Sequence, residues 1–129
     1  MTLKEAAEER KKLIEQFEGL FAEAVELFSD TCGTEAEVTF YSDPNEKYSL
    51  LTKEANEIYT HKITYGFGKL ARHWRLTVST SEGEKKPLSD GSLPIRLAFL
   101  QIHKELLSAI VTNLQKDNDQ IKRFIDQYT

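Results

Sequence analysis

The chain predicts an α+β fold of two layers, and three observations carry that prediction. A long segment of helical periodicity opens the chain, a central stretch alternates strictly in twos, and a second wide helical stripe closes it. The order helix, strands, helix, with alternation rather than unbroken apolar runs, implies an antiparallel sheet covered on one face. Its 129 residues, 40% apolar and 29% charged, fit one globular domain over residues 1–129 with a core of its own.

The first element is a helix over residues 3–31. Thr2 and Glu5 have capping-box spacing, and Gly33 stands where a left-handed C-terminal residue is wanted. From Leu13 onward the wheel is divided. Ile14, Phe17, Leu20, Phe21, Ala24, Val25 and Phe28 fall in one sector with Leu13. Glu15, Glu18, Glu23, Glu26 and Asp30 fill the other without an intervening base. The first dozen residues bury little, although Glu8 and Lys12 form a favourable i,i+4 pair. Such a helix is about 43 Å long at 1.5 Å per residue, so a projecting end is expected.

Strands are expected at about 35–42, 47–51, 58–65 and 71–80, in a sheet of three to five. Ala36, Val38 and Phe40 alternate with polar neighbours, and Asp43-Pro44-Asn45 supplies turn chemistry. Lys47–Leu51 reads as a short strand followed by a loop. The next two strands are joined, on this reading, through Gly66-Phe67-Gly68-Lys69 as a wide turn or bulge. Ser81–Glu84 turns the chain towards a short edge strand at Lys85–Leu88. Ser92 and Pro94 then open a helix over 93–116, with Pro94 in the first turn where its missing N–H costs little. Lys116-Asp117-Asn118-Asp119 interrupts the apolar stripe, which favours a break and a further short helix, or a continuation, over 118–128.

Charge is segregated within a net −4. Residues 1–33 hold eight acids and four bases, whereas residues 59–86 hold six bases and two acids. Alternation directs Thr60, Lys62 and Thr64 outward with His73, Arg75 and Thr77, giving a basic-hydroxyl sheet face. Cations beside hydroxyls suit a phosphate backbone, so nucleic-acid binding is one expectation. The Gly66-Phe67-Gly68 core of an RNA-recognition strand is there, but Tyr65, Lys69 and Arg72 depart from that motif. A solvated sheet face explains the same residues. Tyr41 and Tyr48 are candidate interface anchors should the helices cover one face only.

Chemistry-bearing motifs are missing from the sequence. Its three histidines, His61, His73 and His103, have no metal-ligand spacing, and no nucleophile elbow or phosphate loop occurs. The one cysteine, Cys32, cannot form an intramolecular disulfide and reads as a half-buried structural thiol. With no apolar leader and no span of about 20 apolar residues, a reducing cytoplasm is the expected setting, with no membrane partner. Neither a catalytic residue, a metal nor a cofactor is assigned.

The functional expectation is a small non-enzymatic protein-interaction module of adaptor, inhibitor or accessory type. Its size and style resemble bacterial or phage accessory proteins, an analogy only. The partner is a protein, and a homodimer is one form of it. The residues expected to carry binding are Lys62, Lys69, Arg72, His73 and Arg75 on the sheet, with Glu15, Glu18, Glu23 and Glu26 on the first helix. Nucleic-acid binding by the 59–80 hairpin is the alternative. A small-ligand site or enzyme pocket between sheet and helices is the third reading.

Overall fold

The computed structural model describes residues 2–32 and 34–129, with the side chains of residues 26–32 outside the description. The expectations for Gly33, for the Cys32 thiol and for Glu26 therefore lie outside the described residues. The elements are α1 (Leu3–Cys32), β1 (Ala36–Ser42), β2 (His61–Leu70), β3 (His73–Thr80), β4 (Lys86–Pro87), a 3-10 turn at Leu88–Asp90, and α2 (Leu93–Gln127). All neighbouring strands pair antiparallel, in the order β1-β2-β3-β4. The fold is α+β, with both helices on one face of a four-stranded sheet.

Sheet register decides what is buried. Phe40 pairs with Ile63, Val38 with Tyr65 and Ala36 with Phe67, while Tyr65 and Phe67 lie opposite Val78 and Leu76. These residues point to the helices and pack with Val25, Ile95, Phe99, Ile102, Leu106 and Ile110. Phe17 and Phe21 of α1 meet Phe99 edge-on, at ring-centroid separations of 6.3 and 5.5 Å. The two helices run in the same direction. Glu18 lies beside Arg96, Phe17 beside His103, and Thr34, just past α1, beside Asp117.

Several expected elements are moved or removed. Lys47–Leu51 forms turns rather than a strand. The edge of β1 is instead met by one isolated bridge, Tyr41 to Thr52, with both backbone hydrogen bonds made. The hairpin expected over 58–65 and 71–80 runs over 61–70 and 73–80, and its turn is not at Gly66–Lys69. Ala71 and Arg72, with φ of 54° and 69°, make a two-residue turn whose left-handed residues match the strand twist. Phe67 is then a mid-strand core residue, buried between Ala36 and Leu76.

No break falls at Lys116–Asp119. The helix is continuous to Gln127, and Asp119 accepts from the Gln115 side chain one turn earlier instead of capping a new helix. At the start of α2, Ser92 is extended but makes no side-chain cap bond, with Pro94 in the first turn as expected. Thr2 Oγ1 does accept from the Glu5 N–H at 3.2 Å.

Candidate interaction surfaces

The five residues proposed for the sheet do not form one patch. Arg72 occupies the exposed hairpin tip, and His73 and Arg75 follow on the outward parity of β3, Arg75 half-buried at the edge nearest α1. Lys69 pairs with Trp74 on the helix-side parity, where its ammonium lies 5.8 Å from the indole centroid. Trp74 in turn stacks on Phe67 at 5.7 Å and an interplanar angle of 19°, which ties the hairpin end to the core. Lys62 stands seven residues earlier on β2, roughly 23 Å away at 3.3 Å per residue. It is outward-facing and exposed as expected, opposite Tyr41.

Acids cross the middle of that outer face. Glu37, Gly66, Thr77 and Pro87 form one row across all four strands. A Cβ on Gly66 would lie 2.9 Å from Thr77 Oγ1 and 3.0 Å from Glu37 Cγ, and one on Gly68 would lie 3.1 Å from Glu35 Cδ. The glycines thus let two glutamates lie flat over β2. Glu35 accepts from the Lys69 N–H at 3.1 Å, and Glu37 pairs with the Lys85 ammonium from beyond β4. Sequence reasoning read the glycines as a turn and so missed Glu35, Glu37 and Lys85. The outward parity of Glu37 was visible in its alternation with Val38, whereas the cross-sheet row depends on register.

The acidic face of α1 is divided too. Glu15 and Glu23 are exposed, but Glu18 is 8% exposed. Its carboxylate accepts two bonds from Arg96, Nε at 2.7 Å and Nη2 at 3.1 Å. That bond to Glu18 raises the Arg96 guanidinium above its ordinary value against the opposing desolvation. Glu15, Glu18, Arg75 and Arg96 line one groove of about 420 Å³ between α1 and the β3–β4 edge. One expected sheet cation and two expected helix acids therefore share one intramolecular groove, where Glu18 is already paired with Arg96.

At the other end of the sheet, Ser42 and His61 face each other across β1 and β2 on the helix side. His61 shares a 3.1 Å bond with the Tyr48 hydroxyl, and Tyr48 holds a left-handed φ of 67°. Burial, with Glu82 nearby, pushes the Tyr48 phenol above its usual value. Tyr65 is pushed up further by burial and donates to the Ile95 carbonyl at 2.7 Å. Ser42 is fully buried, and its Oγ has no partner among the described residues. Ser42 and His61 are buried, whereas Tyr48 is half-buried beside the start of α2. Tyr48 serves this packing rather than standing outside as an anchor.

The largest feature that sequence reasoning missed lies on the helices. Leu13 and Leu20 on α1 are 55% and 58% exposed, and Leu107 and Val111 on α2 are 45% and 57% exposed. Beyond the end of the sheet α2 continues with Ile121, Phe124, Ile125 and Tyr128 uncovered as well. The signal was in the sequence: the stripe on α2 is wider than one buried face requires. Periodicity alone does not tell which half of a wide stripe meets the sheet.

Comparison with family models, with curated proteins and with solved structures gives no match, so the geometry alone carries the functional argument. No helix among the described residues is long and apolar enough to cross a membrane.

Proposed function

We propose that this chain is a small non-enzymatic protein-interaction module that presents the outward face of its helical layer to a protein partner. One observation carries the reading: large apolar side chains stand in a row on α1 and α2 where the protein's own fold leaves them uncovered. Contiguous apolar surface of this kind marks a place where another surface sits. Its burial stabilises a complex by about 25 cal/mol per Å² before ordering costs are subtracted. Glu15 and Glu23 on α1 give the partner's rim a basic complement and influence encounter more than affinity. The outer sheet face, with Glu35 and Glu37 across its middle, supports a protein partner better than a phosphate backbone. A reducing cytoplasm is the setting that a single cysteine suits.

The test pairs affinity capture from source cells with light scattering. The wild-type chain recovers a specific protein or self-associates, and Leu13→Glu with Leu20→Glu, or Leu107→Glu with Val111→Glu, weakens that association while circular dichroism stays unchanged. A strictly monomeric wild-type chain that recovers nothing above background would overturn the reading.

A further inference from the structure

The polar interruption at Asp117-Asn118-Asp119 takes on a different meaning once α2 is known to be continuous. Counting along the helix, Leu107, Val111, Leu114, Asn118, Ile121, Ile125 and Tyr128, all exposed except the half-buried Leu114, follow one another at alternating intervals of four and three residues. This is a heptad seam. Val111, Asn118 and Ile125 occupy the a positions, with Leu107, Leu114, Ile121 and Tyr128 at d. Branched residues at a, leucine at the first two d positions and one asparagine at a form the pattern that favours two parallel strands in fixed register.

The side that meets the sheet, as far as Ile110, lies about 100° around the helix from the seam, so the seam is not this helix's own packing surface. From residue 115 onward every residue of α2 is exposed, so the final turns stand clear of the body. The seam spans about 32 Å from Leu107 to Tyr128 at 1.5 Å per residue, which is three heptads.

We infer that α2 pairs with α2 of a second copy of this chain as a parallel two-stranded coiled coil along Leu107–Tyr128. The inference rests on the interaction reading above and names its partner. Charge complementarity supports the second copy. Asp117 lies at g and Lys122 at the following e, so in a parallel pair each Asp117 faces the other chain's Lys122 across the seam, twice per dimer. In that same register the two Asn118 side chains meet and hydrogen-bond to each other. An antiparallel arrangement centred on this seam instead sets Ile121 against Leu114 and leaves Asn118 among the apolar Leu114 and Ile121 of the other chain.

The experiment uses the full chain in a Cys32→Ser background, with sedimentation and light scattering over a concentration series. The expected result is a dimer that Ile121→Cys converts to a covalent dimer on oxidation. Ile121→Glu with Ile125→Glu, both at exposed positions, yields a folded monomer. Asn118→Val tightens the association by roughly tenfold or more, because a polar layer that costs stability is removed. A dimer that links Ile121→Cys only to a Leu114→Cys chain overturns the parallel register. A chain that stays monomeric at the highest attainable concentration overturns the inference altogether. If that monomer still captures a protein through Leu13 and Leu20, the interaction reading stands without it; a monomer that captures nothing ends both.

Discussion

Both long helices run past the sheet, at opposite ends, and the two projections are built differently. The first turns of α1 carry Lys4, Glu5, Glu8, Glu9, Arg10, Lys11 and Lys12, all exposed. The last turns of α2 carry Ile121, Phe124, Ile125 and Tyr128 at 51% exposure or more. Water satisfies the first composition and opposes the second. A charged helical extension needs no cover and is held by its capping bond and i,i+4 pairs alone, each contributing about 0.2–2 kcal/mol. An apolar extension of similar length is costly to leave bare. Projection by itself is therefore not a sign of an interface; projection with a repeated apolar row is.

Two substitutions test how sharply the body and the projections differ. Phe99 is fully buried against Phe17, Phe21 and Tyr65. Phe99→Ala is expected to cost about 4 kcal/mol in urea unfolding. Phe124→Ala, in a chain kept monomeric by Ile121→Glu with Ile125→Glu, is expected to change stability by less than about 0.5 kcal/mol. Comparable costs at the two sites would mean that the end of α2 folds back onto the body.

The next effect sits where the projecting part of α1 meets the body. Arg96 and Glu18 are 12% and 10% exposed at their side chains. Arg96→Leu is expected to lose about 3 kcal/mol, because it leaves a buried carboxylate without its partner. Adding Glu18→Leu should recover most of that loss, which a double-mutant cycle would measure. If the single and double changes cost the same, the pair does not anchor α1. The smallest effect is expected at Ala6→Gly in the charged projection. It loosens the first turns by about 1 kcal/mol of helix propensity. Global stability should stay unchanged, with faster amide exchange confined to the start of α1. A fall in global stability would show that this end too is packed.

Much of the fold was legible because periodicity is a local property. The bounds of α1, the strand at β1 and the start of α2 follow from capping residues and from runs of period 3.6 or 2. The hairpin turn was misplaced because glycine marks both turns and close approaches. Gly66 and Gly68 serve the second purpose, while Ala71 and Arg72 take left-handed φ values that residues with a Cβ adopt at a cost. The candidate site was less legible. Lys62, Lys69, Arg72 and Arg75 share a charge, but with His73 they do not share a surface, since strand parity and length separate them. Glu18 reads as one more exposed acid until Arg96, 78 residues away, is brought beside it.

By itself the sequence determined the class of fold, the inward parity of the strands, and the width of the apolar stripe on α2. Those depend on which residues lie within a few positions of one another. Only the tertiary structure decided which half of that stripe meets the sheet, which acids lie across the outer face, and where α2 leaves the body. Each of those is set by contacts between distant segments, through strand register and helix placement, and local patterning does not encode them.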